Sequence, residues 1–559
     1  MSQAQLPTVA NAETNAEATK KANEETVEGP EVALAVNAEM IQTAGRVIGL
    51  EFTASEAALM SYAVNLNYAN YARIREYEFG NAPLPAFHFD PRLPGQCPPP
   101  TLPLRAVEPV EVTRPERLEE LAFYPVFALA ELVRSRQVTS SELTEMYLYR
   151  LKQYGPQLAC VVTLTEELAR QQAAQADAEI AAGHYRGPLH GIPYGLKDMF
   201  ATRNYPTSWG APPYRGQMID MDATVVTRLA EAGAVLVAKL SMGSLAWDDV
   251  WYGGKTKNPW DLTKGSSGSS AGPGAATAAG LVAFAIGSET NGSIISPSRA
   301  CGVTGLRPTF GRVSRHGAMA LSWTLDKIGP MCRMAEDCAL VFDAIRGPDH
   351  EDPTVVDKPF AWEPQVDLAG LRIGYVVSDF AKEDTASQIR DKATLVKLAE
   401  LGAKLVPIEL PEFPLNALQT ILYVEAATAF DELTRSNRDD LLIRQEEKYW
   451  ANQFRVARLV PAVEYIQMQR LRRQLIIEMA ARMADIDLYI ASAEGDNVWV
   501  TNLTGHPVVT LLNGFLDDGL PSSISFVGQL DDEARLLAVA KAYQITTDFH
   551  TLVPPLFAP

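Results

Sequence analysis

KGSSGSSAGPGAATAAGLVAFAIGSETNGSIISPSRACGVTGLRPTFGRVSRHGA, residues 264–318, is the stretch on which the reading of this chain turns. It is dense in Gly and Ser, yet it encloses the apolar run AGLVAFAIG at 279–287. A flexible linker carries no such run. Small residues inside a folded core mean backbone lying close to its neighbours, or dihedrals that a side chain forbids. A second unusual stretch, PLHGIPYGLKDMFAT at 188–202, sets Lys197 among apolar residues and glycines. A lysine so placed is partly desolvated, which lowers its pKa toward that of a usable base.

Outward from these two stretches the chain alternates. VVTL (161–164), AVLVAKL (234–240) and LRIGYVV (371–377) read as strands. Thr139 and Glu142 form a capping box ahead of a helix, and an Ala/Gln/Glu helix runs from about 166 to a terminating glycine at 183. Strand and helix alternate to the C-terminus, the pattern of an α/β layered domain. Residues 380–480 read as mostly helical, and no internal repeat is found. Toward the N-terminus, residues 1–30 read as a mobile acidic tail without aromatic residues. Residues 31–114 read as a helical appendage and a Pro-rich connector. The appendage carries a capping box at Thr53 and Glu56, with Leu59, Ala63, Leu66 and Ala69 at helical spacing. The main domain is expected over 115–559.

Composition limits the function classes. The 559 residues carry 49 Lys plus Arg against 68 Asp plus Glu, a net charge of 49 − 68 = −19. Such a chain is not built to coat phosphate backbones or an anionic membrane surface. No run approaches the roughly 18 apolar residues of a membrane span, and no basic-then-apolar leader opens the chain. Cys97, Cys160, Cys301, Cys332 and Cys338 are odd in number and form no CxxC pair. The expected setting is reducing and cytoplasmic.

Several motif readings fail on context. Gly268-Ser269-Ser270-Ala271-Gly272 fits the GxSxG nucleophile elbow, but the text before it, NPWDLTKGSS, is a loop and not the required strand. Gly254-Lys255-Thr256 ends like a P-loop, yet Asp249 stands where the first glycine belongs. There is no HExxH and no His/Cys zinc spacing, so no metal or cofactor is called for. Asn291-Gly292-Ser293 and Asn502-Leu503-Thr504 fit the glycosylation pattern in apolar or Gly-rich surroundings and are discounted.

GIPYGLKD, then GSSGSSAG, AAGLV, GSETNGSI and CGVTGLRPTFGRVS, resemble the amidase signature family of serine amide hydrolases. The likeness continues through LDKIGPM (325–331), GLRIGYV (370–376) and NLTGHPVVTLLNGFLDDGLPSSISFVG (502–528), so it spans about 125–545. The resemblance implies a single large domain, with a central mixed, twisted sheet covered by helices on both faces. It implies a Lys–Ser–Ser triad. The lysine falls on Lys197 and the nucleophile on Ser293. The bridging serine, held after a cis peptide, falls 24 residues earlier on Ser269, with Ser266 and Ser267 as decoys. The oxyanion hole falls on the backbone N–H groups of Thr290, Asn291, Gly292 and Ser293.

The chemistry is self-consistent, because a neutral serine hydroxyl is a weak nucleophile and needs an adjacent base. Two departures from the family pattern stand out. Asn291 replaces a glycine before the nucleophile; asparagine tolerates left-handed dihedrals, but its side chain narrows or polarises the hole. IASAEGD (490–496) replaces a segment that in the family lies near the substrate.

Each residue also has a plainer reading. A lysine beside Asp198 is commonly a surface ion pair, and such a pair would oppose a pKa drop. Serines in Gly-rich text commonly form turns. Cys301 reads as a small buried apolar residue, Arg307 and Arg312 as structural, and His190 and His506 as satisfied in the core. The expected partner is a small-molecule amide, with neither nucleic acid nor membrane; family members are often dimers, and a homodimer is the expected assembly. Two alternatives stay open: the glutaminase component of a heteromeric tRNA-dependent amidotransferase, and a binding module that kept the fold. The sequence does not choose among aliphatic, aryl, peptide, fatty, carbamate or lactam-derived substrates.

Overall fold

A computed structural model of the chain describes residues 35–77, 80–81, 83–94, 111–381 and 385–559. The expected tail at 1–30, Cys97 and much of the Pro-rich connector lie outside the described residues. The described residues fall into two compact units, one ending at Phe79 and one beginning at Gly80. In the first, helices Ala38–Val47 and Ala54–Ile74 pack on each other, and the Thr53–Glu56 capping box is formed. In the second, connector residues attach to the body well before 115. Arg92 makes a two-pronged ion pair with Asp531, and Asn81 bonds the backbone of Ala320 and Ala429.

The second unit is built on an eleven-stranded mixed sheet. In chain order its strands are β1 (Val161–Leu164), β2 (Pro193–Lys197), β3 (Val235–Leu240), β4 (Phe284–Glu289), β5 (Thr304–Arg307) and β6 (Lys327–Cys332). They continue as β7 (Arg372–Val376), β8 (Lys404–Ile408), β9 (Leu488–Ser492), β10 (Val508–Phe515) and β11 (Pro521–Gly528). Across the sheet the order is β1-β3-β2-β4-β6-β5-β10-β11-β9-β7-β8. β2 runs parallel to both β3 and β4, and β7 runs parallel to both β8 and β9. The other pairings are antiparallel.

Side chains alternate between two cores. Tyr194, Leu196, Leu236 and Phe284 enter one apolar cluster, while Val235, Val237 and Ala285 enter another. That is what a period of two does to a strand buried on both faces. The helix Ser140–Leu158, started by the Thr139–Glu142 capping box, serves both clusters through Leu143 and Tyr147 on one and Leu148 and Leu151 on the other. The large mixed α/β architecture follows the expectation. One element does not: β8 lies inside the stretch read as mostly helical. Its Pro407 would disrupt an interior strand, but β8 is the last strand of the sheet, where a missing N–H costs no ladder bond.

Candidate active site

Lys197 ends β2, and Ser288 lies near the end of its parallel neighbour β4. Parallel strands open their carboxyl ends onto one edge of the sheet, where ligands bind in α/β proteins. The Lys197 side chain is completely buried. Its Nζ lies 2.8 Å from Ser269 Oγ, 3.1 Å from Ser270 Oγ and 2.9 Å from Ser288 Oγ. Ser270 and Ser288 as lysine partners escaped the sequence reading. Two glycines make the approach possible. A Cβ at Gly287 would sit 2.8 Å from Ser270 Oγ, and one at Gly268 would run into the Asp248 carbonyl. The Gly268–Ser269 peptide is cis. Ser266 and Ser267, the decoys, make no hydrogen bond to Lys197; the Ser266 hydroxyl donates to the Ser267 carbonyl.

Burial pushes the Lys197 ammonium down to about 7, against the opposing pull of Asp326 and Glu289. Asp198 does not hold it charged, a correction to the expectation from adjacency. Its carboxylate turns to the buried Lys239 at 3.0 Å, and accepts from the backbone N–H of Ser208 at 2.9 Å and from the Ser208 hydroxyl. Successive side chains on an extended segment point to opposite sides, so neighbours in sequence part company here.

Ser293 sits in the turn between β4 and the helix Ile295–Cys301, with Gly292 at φ +77° supplying the left-handed residue. Glu289 anchors this turn. Its carboxylate accepts from the backbone N–H groups of Ile294 and Ile295 at 2.8 and 2.9 Å, from Arg307 Nη1 at 2.6 Å and from Asn502 Nδ2 at 2.8 Å. Burial alone would raise the Glu289 carboxyl, but Arg307 and the backbone donors bring it below its ordinary value. Asp326 braces the other side, accepting from Thr290 Oγ1 at 2.6 Å and from the backbone N–H groups of Leu321 and Ser322.

The backbone N–H groups of Thr290, Asn291, Gly292 and Ser293 make no hydrogen bond to another described residue, so all four remain available as donors. Thr290, Asn291 and Ser293 line a cavity of about 190 Å³ together with Gly268; Gly292 does not reach it. The Asn291 side-chain oxygen is buried without a partner among the described residues. A backbone bond from Ser270 N–H to the Ser293 carbonyl, at 3.0 Å, ties the segments carrying Ser269 and Ser293 together. No hydrogen bond joins their two hydroxyls among the described residues. Such contacts commonly tighten only when substrate is in place.

The remaining candidates are structural. Arg307 is fully buried on Glu289 and the His506 carbonyl, and Arg312 lies buried over the Phe342 ring. His190 accepts from the Arg186 backbone, and His506 Nδ1 lies 2.8 Å from Thr504 Oγ1; neither lines the cavity. Cys301 is buried, which raises its thiol well above the ordinary value. Asn502 is 1% exposed, which agrees with discounting it as a glycan acceptor. Among the described residues no group of three or more His, Cys, Asp or Glu could hold a metal ion, and no helix is long and apolar enough to cross a membrane.

Comparison with known proteins identifies the family. The Amidase family model matches residues 142–495. The A subunit of the glutamyl-tRNA(Gln) amidotransferase of Pseudomonas entomophila (strain L48) is 34% identical over 477 residues, covering 76% of this chain and 98% of that protein. The protein of the same name from Coxiella burnetii (strain Dugway 5J108-111) is 32% identical over 480 residues, covering 77% and 99%. Among solved structures, the native peptide amidase from Stenotrophomonas maltophilia superposes with a TM-score of 0.70 at 30% identity, covering 77% of this chain and 98% of that one. The chain therefore belongs to the amidase family and is an enzyme of its class, a serine hydrolase of carbon–nitrogen bonds.

Proposed function

We propose that the chain hydrolyses a small or linear amide through an acyl-enzyme on Ser293, with Lys197 as the base and Ser269 as the bridge. The observation that carries this reading is a buried amine, shifted to about 7, placed 2.8 Å from a serine hydroxyl beside a turn of free backbone donors. Neutral Lys197 takes the Ser269 proton while Ser269 takes that of Ser293. The Ser293 oxygen attacks the carbonyl carbon, and backbone N–H groups of the 290–293 turn, whose Thr290, Asn291 and Ser293 line the cavity, receive the developing oxyanion. Such donors are each worth about 10²–10³ in rate. The proton returns along the relay to the leaving amine, the carbon–nitrogen bond breaks, and water cleaves the ester by the same route. The test is turnover of an amide, anilide and carbamate panel. Ser293→Ala should abolish it; a variant as active as wild type would refute the assignment.

The relatives named as amidotransferase A subunits favour a second reading, a glutaminase component of a heteromeric assembly. Glutamine hydrolysis that appears only when partner proteins are added would select it.

A further inference from the structure

The walls of the cavity beside Ser293 are aromatic. Trp247, Trp450, Trp499 and Tyr423 line it, with Leu321 and Leu422 between them. Trp247 stands edge-on to Trp450, ring centres 4.8 Å apart. One wall is also held in an unusual backbone form. Leu245, Ala246 and Asp248 have φ of 49°, 62° and 59°, in the left-handed region that leucine and alanine seldom adopt. Strain of this kind gathers where a fold must aim a surface. Gly243 and Gly268 lie so close to this segment that a Cβ on either would run into its carbonyls, so both positions call for glycine.

The polar groups of the cavity are as telling as the rings. Asn291 and Gln419 supply neutral amides, and Asp248, the acidic residue of the lining, is tied to Arg444 at 3.3 Å. Among the described residues no lysine or arginine lines the cavity. A carboxylate brought in here would meet indole rings and neutral amides, with no lysine or arginine in the lining to pair with it. A flat uncharged ring would instead meet indole and phenol faces at favourable offset or edge-on geometry.

We infer that the site takes neutral amides whose acyl group carries an aromatic ring on a short tether, and excludes amides bearing a free carboxylate, glutamine included. For turnover this rests on the reading of Ser293 as nucleophile; for binding it does not. The test is therefore split. Titration calorimetry on the Ser293→Ala protein, with phenylacetamide, acetamide and glutamine, reads the binding class. Burying the ring should make phenylacetamide bind about 30-fold more tightly than acetamide, with glutamine no better than acetamide. Trp499→Leu should weaken phenylacetamide about tenfold, since stacking and burial are both reduced, and Trp499→Phe should restore most of it. Glutamine binding as tightly as phenylacetamide, or phenylacetamide affinity indifferent to Trp499→Leu, would overturn the inference. Wild-type protein that binds phenylacetamide but turns over no amide would leave this class standing and remove the nucleophile assignment instead.

Discussion

Replacing Lys197 with methionine separates what this side chain does for chemistry from what it costs the fold. Methionine keeps the unbranched apolar stem and loses only the amine. The ordinary lysine value is 10.5, and in the folded chain burial brings Lys197 to about 7. Between those two values the unfolded chain holds a proton that the folded chain lacks. Wild-type stability therefore rises with pH across that window, by about 1.4 kcal/mol per unit. From pH 7 to pH 10 the rise due to this one group is about 3.5 kcal/mol. The variant lacks it, while every other titrating group is common to both proteins and cancels in their difference. The lost hydrogen bonds to Ser269, Ser270 and Ser288 add an offset that does not change over this range. Denaturant midpoints of both proteins at pH 7 and pH 10 give the double difference. Wild type should gain about 3.5 kcal/mol on the variant over that step, while Lys197→Met loses activity by more than about 10³-fold. A stability gap that is the same at both pH values would mean the amine is charged in the folded protein at neutrality, and the base would have to be sought elsewhere.

Other perturbations follow from the same contacts. Hydrolysis should rise with pH through about 7 and then level, because the neutral form of Lys197 is the active one; a kcat/KM profile flat from pH 5 to 8 would contradict it. Glu289→Gln leaves the buried Arg307 without its counter-charge and should cost about 3–5 kcal/mol, read as a lowered melting temperature. Gly292→Ala forces a side chain into φ +77° with its Cβ 3.0 Å from Ser296 Oγ. It should cost about 1–2 kcal/mol and, by displacing the donor turn, about 10²-fold in kcat. Asp198→Asn should destabilise the protein by stranding Lys239, yet leave the acid limb of the rate profile near 7, since Asp198 does not pair with Lys197.

What could be read ahead of the structure follows from how local each signal is. β3 and β7 were legible because each carries a short run of apolar residues, and β3, VLVAKL, is buried along its whole length between two neighbouring strands. β8 was not, because KLVPI is half exposed, carries a proline and is held as an edge strand by pairing with β7 alone. Lys197 and Ser269 stand in stretches whose glycine spacing is distinctive. Ser288 became a lysine partner only through the register that sets Leu196 beside Ile286, a contact across 90 residues that no local pattern encodes. Asp198 shows the converse: adjacency in sequence suggested an ion pair, and strand alternation sent the two charges to different partners. The free N–H groups at 290–293 were expected from the family likeness, while the bracing of that turn depends on Arg307 and Asn502 reaching Glu289 and on Asp326 reaching Thr290, contacts that no local pattern encodes.

Covalent labelling tests the central claim most directly. Phenylmethylsulfonyl fluoride, followed by peptide mass mapping, should place one sulfonyl group on Ser293 in the wild-type protein. The rate should climb through pH 7, fall sharply in Lys197→Met, and vanish in Ser293→Ala. A label on another serine, or labelling of Ser293 undiminished when Lys197 is gone, would contradict the account.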